Sequence, residues 1–157
     1  NRSSKIMLLK TLICVVLIQI AITWGYPQKF MIKNKKTGMV LDGAKKDIAI
    51  GQWKNRNTQI WTLEGSDTPG HYIVRNIGNQ KVLDACPVTR AIFTWSKHGG
   101  RNQRWKLNAN DDTRIQVEFY PNDFMVHKGN KVKLQGSKEG DDSDIWLLVE
   151  PQSVPTV

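Results

Sequence analysis

Gln59-Ile60-Trp61, Gln103-Arg104-Trp105 and Asp144-Ile145-Trp146 are three versions of one tripeptide: a polar residue, a spacer and a tryptophan. Their tryptophans lie 44 and 41 residues apart. Self-similarity at a fixed period of that size means one supersecondary unit built several times, and it governs every later reading. The match runs outward from the tripeptides. Phe30-Met31-Ile32-Lys33-Asn34 aligns with Tyr72-Ile73-Val74-Arg75-Asn76 at an offset of 42. The same offset carries Val40-Leu41-Asp42 onto Val82-Leu83-Asp84, and Trp53 onto Trp95. The third unit diverges more. Ile115-Gln116-Val117 opens it, and His127 stands where the first two units have Asp42 and Asp84.

Within each unit the apolar residues alternate with polar ones over short runs. Phe30-x-Ile32, Tyr72-x-Val74 and Ile115-x-Val117-x-Phe119 have the period-two pattern of half-buried strands. Val40-Leu41, Ile48-x-Ile50, Trp61-x-Leu63, Val82-Leu83, Ala91-Ile92, Trp105-x-Leu107, Phe124-x-Val126, Val132-x-Leu134 and Trp146-x-Leu148 add further strands. Turn residues separate them at Thr37-Gly38, Asp42-Gly43, Pro69-Gly70, Gly78-Asn79, Gly99-Gly100, Asn110-Asp111-Asp112, Pro121-Asn122 and Lys128-Gly129-Asn130. Helical periodicity is confined to short turns near Asn55–Gln59 and Gly99–Asn102. The expected fold class is all-β, with about twelve short strands in three pseudo-symmetric repeats. Closing such strands into a barrel with a hairpin cap removes exposed edges.

The first 25 residues read differently. Met7 is the expected initiator; Lys10, the apolar run from Leu12 to Ile22, and Thr23-Trp24-Gly25 follow it. A basic start, an apolar core of about 7–15 residues and small residues before the cut describe a cleaved secretory signal peptide. The run is shorter than the roughly 20 residues that span a bilayer. The expected division is therefore 1–25 as upstream residues and signal peptide, 26–150 as one folded domain, and 151–157 as a flexible tail. The chain holds 23 Lys+Arg against 14 Asp+Glu. Arg2, Lys5 and Lys10 precede the expected cut, leaving 20 against 14, or +6. Cys14 leaves with the leader, so Cys86 is the one cysteine of the expected mature chain and no internal disulfide can form. An odd cysteine in a secreted chain is either buried or paired with another molecule, so a disulfide-linked dimer through Cys86 is one expectation. The expected mature chain has no Asn-x-Ser/Thr acceptor for an N-glycan.

The Q-x-W signature at this spacing, with its supporting residues, resembles the ricin B-type β-trefoil lectin family across essentially all of the expected mature chain. The resemblance implies a β-trefoil in which Trp61, Trp105 and Trp146 pack in the shared core. It also implies a small sugar-binding kit in each repeat. An acid accepts two hydroxyl hydrogen bonds, an aromatic covers the apolar face of the ring, and an Asn-Gln pair completes the polar side. Repeat two fits that kit with Asp84, Trp95, Asn102 and Gln103. It departs at Phe93, where family members often have Gln, and in a shorter stretch between Asp84 and Trp95. Repeat one offers a weaker version in Asp42, Trp53 and Gln59, with Thr58 in place of the Asn. Its Trp-to-Gln spacing is six residues against eight in repeat two. Repeat three has His127 for Asp and Asp144 for the motif Gln, and is expected to serve packing.

Catalysis finds little support. His71, His98 and His127 fall in different repeats, without a nucleophile motif around them. No Cys/His cluster offers metal ligands, no glycine-rich phosphate loop is present, and no cofactor is implied. The leading expectation is a secreted, extracellular carbohydrate-binding protein whose partners are glycans or glycoproteins. One alternative is a sulfated glycosaminoglycan or other polyanion held by Lys45, Lys46, Lys54 and Arg56, a binding mode that salt screens. Another is an effector of host receptors or vessels, because a small secreted trefoil with reduced sugar kits resembles arthropod salivary and venom proteins. Nucleic acid fits poorly, since the basic residues lack aromatic interleaving.

Overall fold

The computed structural model describes residues 28–108, 112–136 and 141–151. The expected leader, the turn at Asn110-Asp111 and the tail beyond Pro151 lie outside the described residues. Twelve strands are present among those described, each where the alternation places one. Repeat one contributes β1 (Met31–Asn34), β2 (Val40–Asp42), β3 (Ala49–Gly51) and β4 (Trp61–Gly65). Repeat two contributes β5 (Tyr72–Asn76), β6 (Val82–Ala85), β7 (Ile92–Trp95) and β8 (Trp105–Lys106). Repeat three contributes β9 (Gln116–Val117), β10 (Tyr120–Lys128), β11 (Lys131–Gly136) and β12 (Trp146–Val149).

The first and last strands of the three repeats close a ring. β12 pairs with β1, β4 with β5, and β8 with β9, each joining one repeat to the next. Within repeats the ring is closed by Phe30 opposite Trp61, Tyr72 opposite Trp105, and Thr113 opposite Trp146. The remaining strands form three hairpins, β2–β3, β6–β7 and β10–β11. Bridges between Lys131 and Ala49, Asp47 and Phe93, and Ala91 and Lys133 knit these hairpins into a triangular cap. A six-stranded barrel capped by three hairpins is the β-trefoil.

The three indoles explain why the tripeptide repeats. Trp61, Trp105 and Trp146 are wholly buried. A buried indole needs an acceptor for its N–H. Trp61 Nε1 donates to the Leu41 carbonyl at 3.4 Å, Trp105 to Leu83 at 3.0 Å and Trp146 to Met125 at 2.8 Å. Each thus ties its barrel strand to the hairpin of its own repeat. Phe30, Ile32, Leu41, Val74, Leu83, Ile115, Val117 and Met125 fill the space among them. Seams between repeats are also satisfied. The buried Asn76 donates to the Thr58 carbonyl at 2.8 Å, and Asn34 to the Ser143 carbonyl at 3.0 Å.

Two expectations need correction in repeat three. Pro121-Asn122 is not a turn but lies inside β10, where the register shifts between Tyr120 and Phe124. A bulge tolerates proline because the missing N–H has no ladder partner there. Phe119, expected on a half-buried strand, sits in the preceding turn with its ring exposed and edge-on to Tyr120. The two short helical turns appear as 3-10 turns at Asn57–Gln59 and Arg101–Gln103, and a third stands at Asp142–Asp144. Cys86 is free and half-buried. A hydrogen bond from Thr89 holds its thiol below the usual cysteine range.

Candidate functional site

The motif glutamine is the starting point, because its side chain is buried and must be satisfied. The 3-10 turns of repeats one and two each end on it, just before the strand that carries the Trp, and the turn points the carboxamide back under the preceding loop. Gln59 accepts from the Lys54 amide at 2.8 Å and donates to the Gln52 carbonyl at 2.8 Å. Gln103 accepts from the His98 and Gly99 amides at 2.8 and 3.0 Å and donates to the Ser96 carbonyl at 3.0 Å. In both repeats the glutamine fixes the loop that follows the hairpin. In repeat three Asp144 instead pairs with Arg114 at 2.9 Å.

Repeat two goes further. Asp84, on β6 and 2% exposed, receives three side-chain donors. Asn102 Nδ2 reaches one carboxylate oxygen at 2.7 Å, while Gln103 Nε2 and His98 Nε2 reach the other at 2.7 and 3.2 Å. The His98 Nδ1 accepts from the Gly100 amide at 3.1 Å, so the ring proton sits on Nε2 and points at the acid. Beside this cluster Trp95 ends β7 with its ring 45% exposed. Phe93, two residues earlier and on the same face, meets Trp95 edge-on with centroids 6.1 Å apart. A cavity of about 240 Å³ opens there, lined by Lys46, Asp84, Pro87, Phe93, Trp95, His98 and Asn102. An acid, an amide and an uncovered aromatic converging on one hollow can hydrogen-bond one edge of a small polar ring and stack on its apolar face.

All four residues expected for repeat two are therefore brought together, though Gln103 acts from beneath, holding Asp84 and the loop. Repeat one is different. Asp42 accepts from the Ala44 amide at 2.9 Å, a local turn, and among the described residues no side chain bonds it. Trp53 is half-buried and Thr58 lies under the seam with Asn76. Gln59 keeps the loop-fixing bonds, but Asp42 and Trp53 do not converge with it: the expected match of Trp53 to Trp95 fails, because the hairpin register sets Gly51 opposite Val40 where repeat two has Trp95 opposite Val82.

The basic group also divides. Lys54 and Arg56 are exposed on the loop before the first 3-10 turn. Lys45 and Lys46 lie instead along β7 of the next repeat, and the Lys46 ammonium stands 4.8 Å from the Trp95 ring centroid and 5.8 Å from that of Phe93. Sequence reasoning missed this and the part played by His98. Spacing within a repeat reports on that repeat, and Lys46 crosses a seam. His98 carried one usable signal, its position in the loop between the stacking Trp and the amide pair. Repeat three, expected to serve packing, encloses a cavity of about 300 Å³ between Lys36, Thr37, His127, Lys128, Gln135 and Asp141. Its polar lining groups pair with one another: Lys36 pairs with Asp141 at 2.7 Å, and His127 is 2.6 Å from the Gly129 carbonyl and 3.4 Å from Thr37 Oγ1. Among the described residues no group of His, Cys, Asp and Glu could hold a metal ion.

Comparison with known proteins agrees with this fold. A family model described as ricin-type β-trefoil lectin domain-like matches residues 19–87 and 57–126. None of the curated proteins matches the sequence. Among solved structures, a designed threefold-symmetric protein, ThreeFoil, superposes with a TM-score of 0.68 at 18% identity, covering 80% of this chain and all of its own. SeviL bound to asialo-GM1 saccharide gives 0.65 at 21% identity, covering 80% of this chain and 98% of its own. The Polyporus squamosus lectin bound to the epitope Neu5Aca2-6Galb1-4GlcNAc gives 0.70 at 18% identity, with 78% of this chain against 49% of that one. At those identities the likeness is one of fold.

Proposed function

We infer function from one premise: this chain belongs to the ricin-type β-trefoil lectin-like family. We propose that it is a carbohydrate-binding protein whose working site is the repeat-two pocket. The observation that carries this reading is the convergence of Asp84, Asn102 and His98 on a hollow floored by the exposed ring of Trp95. Stacking on Trp95 supplies the apolar contact, and the polar edge formed by Asp84, Asn102 and His98 fixes orientation. Glycan-bearing relatives of the same fold, SeviL and the Polyporus lectin, support the class of ligand. The role is binding rather than catalysis, and with the signal pattern at 1–25 it is exercised outside the cell. A single shallow pocket binds weakly, so useful avidity needs ligands or proteins presented in several copies.

A glycan array tests this, using the Tyr26–Val157 product and its Trp95→Ala and Asp84→Ala variants. Wild type is expected to retain galactose-type glycans at moderate salt. Trp95→Ala should weaken them roughly tenfold, and Asp84→Ala should remove them. Binding that persists unchanged in both variants would remove the repeat-two site.

A further inference from the structure

The loop after β2 belongs to repeat one in sequence and to repeat two in space. The Thr94 amide donates to the Lys46 carbonyl at 2.8 Å, Thr94 Oγ1 to the Lys45 carbonyl at 3.4 Å, and the Ile48 amide to Ile92 at 3.4 Å. Asp47 bridges to Phe93. This segment is therefore laid antiparallel along β7, and its backbone holds the base of the Lys46 side chain beside the pocket. The Lys46 ammonium rests over the indole of Trp95 and near the ring of Phe93. Among the described residues no carboxylate forms an ion pair with it, whereas Lys97, two residues after Trp95, is held by Glu64 at 2.8 Å.

Two charged side chains line this pocket, Lys46 and Asp84. Asp84 is 2% exposed and its oxygens already meet three donors. The charge that faces an incoming ligand is thus the ammonium. That cation occupies the ring face on which a sugar must stack. A neutral sugar has to push it aside, losing a cation–π contact and gaining nothing from the charge. A sugar bearing a carboxylate or sulfate keeps the stacking surface and turns the displaced ammonium into a charge-assisted partner.

We propose that the repeat-two pocket selects glycans carrying an acidic group, carboxylate or sulfate, and that Lys46, supplied by repeat one across the seam, is the residue that selects them. This rests on the reading of the pocket as a glycan site and adds the class of glycan. It also draws one of the four basic residues away from a diffuse polyanion surface and into a single defined contact.

The test uses the Tyr26–Val157 protein and three probes titrated separately: lactose, 3′-sulfolactose and 3′-sialyllactose. Wild type, Lys46→Ala, Lys46→Gln and the control Lys131→Ala are compared, with thermal melts to verify that each variant is folded. Wild type should bind one or both acidic probes roughly tenfold tighter than lactose. Both Lys46 variants should reduce that ratio to about one through loss of the acidic probe, with lactose binding retained or improved. Lys131→Ala should keep the wild-type ratio. The sulfated and sialylated arms tell which acid the geometry accepts. Equal binding of all three probes by wild type, or an acidic preference that survives both Lys46 variants, overturns this proposal and leaves the lectin reading standing. Failure of wild type to bind any probe, with no glycan retained on the array, removes the lectin reading and this proposal together.

Discussion

Repeats one and two share their supports almost bond for bond. Trp61 and Trp105 donate to the carbonyls of Leu41 and Leu83, and Gln59 and Gln103 fasten the loops ahead of them. What they carry on those supports differs. Asp84 gathers Asn102, Gln103 and His98, while Asp42 holds a local turn. The divergence traces to the hairpin register, which sets Trp95 opposite Val82 where repeat one has Gly51 opposite Val40, and to Asn102 where repeat one has Thr58. Repeat two thus ends β7 on an indole that stands open, where repeat one ends β3 on a residue without a side chain, and His98 turns to the acid. Trp53 is followed directly by the residue whose amide Gln59 holds, and its ring is half-buried. Bonds that keep the barrel closed are duplicated in both repeats. Those that shape a pocket depend on which side chain stands at the end of the hairpin and in the loop after it.

The hardest test of this likeness is removal of its shared pillars. Trp61→Ala and Trp105→Ala should each cost about 3–5 kcal/mol in denaturant unfolding. Their costs should agree closely, and a gap of more than about 2 kcal/mol would mean that the repeats are unequal supports. The glutamines separate support from binding. Gln59→Ala and Gln103→Ala should each lose about 1–3 kcal/mol, because a buried loop is left without its partner. Only Gln103→Ala should also abolish glycan binding in the same titrations. Loss of binding in Gln59→Ala would place the working site in repeat one.

A smaller effect lies in the turns that follow β1 and β5. Gly38 and Gln80 are equivalent, with φ of +69° and +60°. Only glycine adopts that conformation without strain. Gln80→Gly should stabilise by about 0.5–1 kcal/mol and Gly38→Gln should destabilise by about 1 kcal/mol, both read from melting curves. The smallest concerns the seam. Arg75, and with it Lys97, holds the Glu64 carboxyl below its ordinary value of 4.5. A carboxylate depressed in the folded state adds stability that is complete above that ordinary value and disappears as pH falls through the lowered one. Glu64→Gln should therefore cost about 0.5 kcal/mol at pH 7 and nothing well below pH 4. An equal cost at both pH values would assign the loss to packing.

The fold was legible because each of its rules is written three times. A half-buried strand gives a faint pattern alone, but Phe30, Tyr72 and Ile115 reinforce one another, as do the three indoles. Pro121-Asn122 misled because proline normally breaks a strand, and the bulge that accepts it depends on pairing with β9, which residue types do not disclose. The site was legible by residue type and only partly by arrangement. Asp84, Trp95 and Asn102 meet as the family resemblance implied. Lys46 did not announce itself, since its place follows from hydrogen bonds to Thr94 across 48 positions of sequence.

The distribution of the indoles makes the molecule its own optical probe. Three of those described are sealed from solvent, Trp53 is half-covered, and Trp95 is 45% open in the pocket. Red-edge excitation will favour Trp95, and acrylamide will quench it ahead of the sealed three. Occupancy of the pocket can therefore be followed as a blue shift and loss of quenching in one fluorophore, without a label.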